Sequence, residues 1–261
     1  MDEASAARIY DFYLGGKHNF PADREAAQRI MAQLPTMPII ARENRAFLGR
    51  AVSYLTNVGI RQFLDVGSGI PTEGNVHEIA QAIAPESRVA YVDIDPVAVS
   101  EGLDLLRGND TAIAVQGDLR RPDEILNNAA IGELLDFDRP IGLLLCAVLH
   151  FVPDDEVAYR VVGHLVDALP TGSYLVISAA AAESFAKTSD TTQAAIDVYR
   201  QRATTSAASR TRDEVARFFA GLELIEPGVT WLHQWPDPTV VHADFADDPA
   251  RSGEWAAVAR K

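Results

Sequence analysis

The sequence contains a single cysteine, Cys146, in 261 residues. An internal disulfide is therefore excluded, and a reducing compartment, the cytoplasm, is the expected location. Lysine is nearly missing: only Lys17, Lys187 and Lys261 occur, and arginine carries the positive charge. With 37 acidic against 23 basic residues and a net charge of -14, the chain is poorly suited to nucleic acid, whose phosphates call for clustered Lys and Arg. A small-molecule partner is expected instead. Long apolar runs are lacking as well. The longest, residues 141–149, falls far short of the roughly 20 residues that span a bilayer, so no membrane partner is expected. Residues 1–10 are polar and show no apolar core of a secretory signal. The histidines at 18, 77, 150, 164, 233 and 242 lack ligand-like spacing and Cys146 has no CxxC partner, so no metal site is expected. No GxSxG elbow is present to seat a nucleophilic serine.

What the chain does have is an ordinary core-forming composition, 48% hydrophobic and 23% charged, sufficient to bury a core without staples. The first 60 residues read as helical. Apolar residues recur at helical spacing over 23–34 and 39–54, with Pro21, Pro35 and Pro38 as breaks. Between them and the first helical segment lies a loop with Gly15 and Gly16. From Arg61 onward strands alternate with helices. Strands are predicted at 62–66, 88–92, 111–116, 141–145 and 173–178, and helices at 75–84, 96–107, 122–135 and 154–169. The strands are apolar throughout, as in sheets covered on both faces. Such alternation predicts a parallel sheet with right-handed crossovers. A helical stretch follows at 182–202. Thr211 and Glu214 then form a capping box for another helix, and 222–226 and 254–260 give two late strands. The connection through Trp231, Trp235, Pro236 and Pro238 reads as a loop. The expected architecture is α/β: a mostly parallel seven-stranded sheet with an antiparallel last strand. A helical extension, residues 1–60, precedes a ligand-binding domain, residues 61–261.

Three strand ends carry the chemistry. Phe63-Leu64-Asp65-Val66-Gly67-Ser68-Gly69-Ile70-Pro71 is an apolar strand running into two glycines, which permit a tight turn and close approach of backbone to ligand. Asp65 sits at the strand's end, where a buried carboxylate costs several kcal/mol unless paired, a cost a ligand amine or N–H groups can offset (roughly,). Tyr91-Val92-Asp93-Ile94-Asp95-Pro96 ends the next strand. A carboxylate there can accept both hydroxyls of an adenosine ribose, while Asp95 is placed to cap the helix that begins at Pro96. Gln116-Gly117-Asp118-Leu119 ends the third strand, with a carboxylate for an adenine amino group and a leucine for the ring. Each alone reads equally well as an ordinary turn. Together they converge on the crevice where such sheets bind ligands.

In these motifs the chain resembles class I S-adenosylmethionine-dependent methyltransferases, which implies a Rossmann-like fold and S-adenosylmethionine as cofactor. The resemblance places Asp65, Gly67, Ser68 and Gly69 near the methionine end, Asp93 and Ile94 at the ribose, and Asp118 and Leu119 at adenine. Cys146 and Ala147, ending the fourth strand, complete the set. Pro71 stands where the family commonly has a third glycine, which bears on the helix entry. A closer resemblance covers nearly the whole chain. Tyr10-Asp11-Phe12-Tyr13-Leu14-Gly15-Gly16-Lys17-His18-Asn19-Phe20, Ala41-Arg42-Glu43-Asn44-Arg45-Ala46-Phe47-Leu48, Gly69-Ile70-Pro71-Thr72-Glu73-Gly74-Asn75-Val76-His77-Glu78 and Val148-Leu149-His150-Phe151-Val152-Pro153-Asp154 are similar to a bacterial S-adenosyl methyltransferase family formerly classed as a domain of unknown function. That family implies no particular acceptor.

His150, following the fourth strand, is a candidate general base at neutral pH, or else a packing residue. Tyr13, Gly16, His18, Asn19, Arg45 and Phe151 are expected to form a lid and substrate pocket, with the N-terminal helices closing over the cofactor. A bulky side chain at Gly67 is expected to block the cofactor while sparing the fold. Two other readings stay open: a nicotinamide-dependent oxidoreductase, for which Thr72 stands where GxGxxG needs glycine, and a non-catalytic S-adenosylmethionine-binding protein.

Overall fold

The computed structural model describes residues 3–71, 74–186 and 207–261. Five parallel strands, β1 (Gln62–Val66), β2 (Arg88–Asp93), β3 (Ala112–Gln116), β4 (Gly142–Cys146) and β5 (Tyr174–Ala180), alternate with helices. β8 (Glu254–Arg260) inserts antiparallel beside β5 and carries the two-residue strands β6 (Glu223–Leu224) and β7 (Thr230–Trp231) on its far side. The spatial order is β3-β2-β1-β4-β5-β8-β6, with β7 also on β8. The order reverses between β1 and β4, so the chain leaves their carboxyl ends in opposite directions and opens a crevice there.

The helices cover both faces. α3 (Met37–Asn57) and α4 (Val76–Ile83) pack on one. α6 (Pro122–Leu126), α7 (Ala129–Leu134), α8 (Asp155–Asp167) and α10 (Arg212–Arg217) pack on the other. α5 (Pro96–Leu105) follows β2, and α9 (Ala182–Ala186) follows β5. α3 buries Phe47, Ala51, Val52 and Leu55 completely, in one cluster with Phe63 of β1 and Trp235. At about 1.5–3 kcal/mol for each large side chain, this ties α3 to the sheet itself. Residue 60 is thus not a packing boundary. α1 (Ala6–Tyr13) and α2 (Pro21–Gln33) form a small second cluster through Ile9, Tyr13, Ala27 and Ile30, which Ala41 of α3 joins.

Local chemistry explains where elements begin. Proline opens α2, α5 and α6, where its missing N–H has no helical partner to lose. Asp95 caps α5 through Val97 N–H at 2.8 Å. Thr211 and Glu214 form the expected reciprocal box on α10. Two expectations are corrected. The helix predicted over 122–135 is two helices, because the Asn128 side chain accepts from the N–H groups of Ala130 and Ile131 and starts a new one. Among the described residues the sheet has eight strands, not seven, because Thr230–Trp231, predicted as loop, pairs with β8 while Trp231 stacks on Trp255 at 3.5 Å. Of the helical stretch expected over 182–202, residues 187–202 lie outside the described residues.

Candidate active site

A cavity of about 240 Å³ lies at the carboxyl ends of the parallel strands, under α1, α2 and the start of α3. Its floor comes from the strand ends. Asp65 is the penultimate residue of β1, and Gly67, Ser68 and Gly69 follow the strand; Asp93 ends β2 and Ile94 follows it; Asp118 and Leu119 follow β3. Cys146, Ala147, His150 and Phe151 line it from the β4 side, and Arg45 from α3. The roof is apolar and includes Ala7, Ile30, Leu34, Met37 and Ile40.

The turn after β1 is held by the next strand. Asp93 Oδ2 accepts the Gly69 N–H at 2.7 Å and its Oδ1 accepts the Asp95 N–H at 2.8 Å. The N–H groups of Gly67 and Ser68 both point to the Val92 carbonyl. Gly67 (φ 80°) and Gly69 (φ 67°) both occupy the left-handed region that favours glycine. They differ in what surrounds them. A Cβ at Gly67 would collide with the Val148 side chain, whereas one at Gly69 would meet nothing within 4 Å. Gly67 is therefore needed for packing against the loop after β4. Gly69 exposes its backbone to the cavity.

The site is strongly acidic. Burial raises the Asp93 carboxyl to about 6 against the backbone N–H groups that hold it down. Asp65 is raised to about 7 by burial and by the Asp93 charge, with Arg45 opposing. Asp118 goes the other way. Burial favours its neutral form, but Arg120 donates to both of its oxygens, the shortest at 2.7 Å, and holds it below the ordinary carboxylate range. A group raised in the fold contributes its stability below the unfolded pKa and loses it as pH rises through the folded one. Asp65→Asn is accordingly expected to gain stability relative to the natural protein as pH is raised from about 4 to about 8. Paired urea titrations across that range measure the difference, and a pH-independent difference would refute the burial of a charge at Asp65.

His150 is half-buried, with a buried Nδ1 unpartnered among the described residues. Burial and the nearby Arg210 guanidinium push it down to about 4. The imidazole is therefore neutral and weakly basic near pH 7, which is the state a packing residue and a proton acceptor share. Its ring meets Phe151 edge-on at 4.3 Å. Burial also raises the Cys146 thiol, leaving it unreactive.

Four residues expected in the lid are not on the cavity wall. Tyr13 is buried in the α1–α2 cluster. Asp11 gathers the rest, accepting from the N–H of His18 at 3.0 Å and from Asn19 Nδ2 at 2.8 Å. A Cβ at Gly16 would run into the same carboxylate. His18 turns outward to Glu101 at 2.8 Å. These glycine and polar residues build a rigid loop around one buried aspartate, a pattern that in sequence looks like a ligand-binding loop.

Other residues were not assigned to the site from the sequence. Arg8, Asp23 and Asp95 form a buried ionic latch from α1 to α2 and to the loop after β2. Tyr10 donates to the Ala41 carbonyl and accepts from Asn44 Nδ2, both at 2.9 Å. Asn44 Oδ1 accepts from Ser178 Oγ at 2.6 Å, and Ser178 Oγ accepts the Ala147 N–H at 2.8 Å. That last bond helps hold Ala147 at φ 53°, unusual for a residue with a side chain. Glu254, the first residue of β8, also lines the cavity. Helical and strand periodicity mark none of these, because each is a polar residue on an otherwise apolar, buried face.

A family model described as S-adenosyl methyltransferase matches residues 1–261. This chain belongs to the S-adenosyl methyltransferase family. A protein of Thermobifida fusca assigned as a methyltransferase has a solved structure 36% identical to this one. It superposes with a TM-score of 0.91 over 100% of this chain and 96% of its own. A DUF574 family protein from Streptomyces avermitilis is 40% identical, with a TM-score of 0.91 over 99% of this chain and 98% of its own. The N-methyltransferase NodS of Bradyrhizobium japonicum, solved with S-adenosylhomocysteine, shares the fold at 12% identity and a TM-score of 0.53, over 97% and 98% of the two chains. No curated protein matches the chain in sequence. The Rossmann-like methyltransferase fold and S-adenosylmethionine as cofactor follow from family membership, and the nicotinamide reading has no support. The cavity of this methyltransferase fits that cofactor. The open Gly69 gives backbone access, the Asp93 carboxylate faces the cavity beside it, and the acidic floor suits a ligand carrying sulfonium and ammonium charges. Among the described residues no helix is long and apolar enough to cross a membrane.

Proposed function

We propose that this methyltransferase holds S-adenosylmethionine along the carboxyl ends of β1, β2 and β3 and methylates a small-molecule acceptor enclosed beneath α1–α3. The observation that carries this reading is the shape of the cavity, polar and acidic at the strand ends but roofed by apolar helices. When bound, the cofactor supplies a sulfonium methyl, whose S–C bond breaks toward sulfur as the acceptor's lone pair forms the new bond. The chain's residues position and enclose. Asp93 accepts the ribose hydroxyls, using lone pairs left over from Gly69 and Asp95. Asp118, fixed by Arg120, and Leu119 take the adenine. Asp65 and the backbone of Gly67–Gly69 hold the methionine end. Ala147, fixed through Ser178, and Phe151 shape the side where the acceptor enters. Alignment of acceptor, methyl and sulfur supplies much of the rate in such a displacement, and the apolar roof excludes water from it.

Calorimetry is expected to show binding of S-adenosylmethionine and S-adenosylhomocysteine and weak or no binding of NAD. Asp93→Ala is expected to weaken S-adenosylmethionine by about 1.5–3 kcal/mol, or roughly 10- to 150-fold, the scale of hydrogen bonds to a charged group. Unaltered affinity in a natively folded Asp93→Ala protein would remove the ribose assignment.

A further inference from the structure

Among the described residues, Glu254 is the cavity carboxylate that neither the cofactor reading nor an ion pair engages. It begins β8, opposite Ala180 in the antiparallel register, and so reaches the cavity from the side of β5, away from Asp93 and Asp118. It is 7% exposed, and its Oε2 has no hydrogen-bond partner among the described residues. Ser178 lies close enough to soften the effect of burial on Glu254, but its single hydroxyl proton goes to Asn44 Oδ1. The titratable groups that face Glu254 are Tyr10 of α1 and Cys146 of β4. Burial keeps both protonated and neutral, so neither supplies a positive charge. No ion pair reaches Glu254 among the described residues. Its position is fixed from below, because the preceding Gly253 (φ 79°) lets the backbone close on the Ile40 side chain of α3.

A buried carboxylate oxygen without a donor is costly, and a cationic or N–H ligand offsets that cost. The other carboxylates are engaged: Asp95 by Arg8, Asp118 by Arg120, Asp93 by backbone N–H groups, with Arg45 acting on Asp65. The surrounding roof of Ala7, Met37 and Ile40 is apolar. From this geometry we infer that Glu254 is the acceptor-recognition carboxylate and that the acceptor is an amine with an apolar body. The inference rests on the cofactor reading above. In the transfer step the bound ammonium first passes a proton to the Glu254 carboxylate, and the lone pair so freed forms the bond to the methyl carbon as the S–C electrons return to sulfur, leaving a methylated ammonium. Glu254 then releases that proton to solvent, which restores its carboxylate. Burial holds that carboxyl at about 7, matched to accepting and releasing a proton near neutral pH.

The test uses the full chain saturated with S-adenosylhomocysteine and two matched probe pairs: tryptamine against indole-3-acetate, and phenethylamine against phenylacetate. The expected result is binding of the amines at least ~10-fold tighter than their acids, and loss of at least ~10-fold in amine affinity in Glu254→Gln. S-adenosylhomocysteine affinity is expected to stay within about twofold in that variant, which also reports that it folds. Amines that bind no better than the acids, or a Glu254→Gln protein that binds them as the natural one does, would overturn the inference and leave the cofactor reading standing. Failure of the natural protein to bind S-adenosylhomocysteine would overturn the cofactor reading and this inference with it.

Discussion

Replacing Arg8 with alanine is expected to destabilise the protein by about 3–5 kcal/mol, the cost of leaving buried charges unpaired. Arg8 donates to Asp23 at 2.9 Å and to Asp95 at 3.2 Å, and all three side chains are at most 7% exposed. Its Nη2 also caps the Glu3 carbonyl at 2.6 Å, and its guanidinium lies over the Phe20 ring. Asp23 further accepts the N–H groups of Ser5 and Phe20. The single arginine thus fastens α1 to α2 and to the loop that carries Asp93. Its loss is expected to weaken S-adenosylmethionine binding as well, because Ser5, Ala6, Ala7 and Tyr10 wall the cavity. Denaturant titration measures the first effect and calorimetry the second. A loss of less than about 1 kcal/mol would place Arg8 among ordinary surface ion pairs.

Gly67→Val is expected to cost about 2–5 kcal/mol, combining a left-handed backbone forced on a β-branched residue with overpacking against Val148. The φ of 80° and the contact a Cβ would make at 2.7 Å from Val148 Cβ set both parts. Val148 is itself β-branched, so it has little rotamer freedom with which to yield. The turn after β1 and the loop after β4 move together, and cofactor binding is expected to fail along with folding stability. This revises the expectation from sequence that the substitution would spare the fold. Gly69→Ala is the cleaner probe of ligand approach, since the added methyl meets no protein atom. It is expected to leave the melting temperature within a few degrees while reducing S-adenosylmethionine affinity. Equal stability of Gly67→Val and Gly69→Ala would contradict the division of labour between the two glycines.

The sequence by itself determined the alternation of strands and helices, the parallel order implied by it, and the three acidic strand ends. These are encoded locally. Apolar runs of five or six residues, proline and aspartate at helix starts, and glycines after a strand act within a few residues of themselves. A fold in which strand ends converge then brings Asp65, Asp93 and Asp118 into one crevice without further information. The motif from Tyr10 to Phe20 was equally visible, but its purpose was not. Asp11 draws in Gly16, His18 and Asn19, and only the folded chain distinguishes that internal knot from a loop facing a ligand.

Tertiary structure alone decided the rest, because the deciding contacts join residues far apart in the chain. Arg8 meets Asp95 across 87 positions and Ser178 meets Asn44 across 134. α3 lies before the alternating region, yet it is bound into the sheet by Phe47 and Leu55 packing on Phe63. His150 loses its basicity to burial, a property of the surrounding fold and not of its neighbours in sequence. Glu254 gains its exposure to the cavity from the antiparallel return of β8 beside β5. A carboxylate opening a late apolar strand carries no local signal of a binding site; its missing donor exists only once the strands and α3 have closed around it.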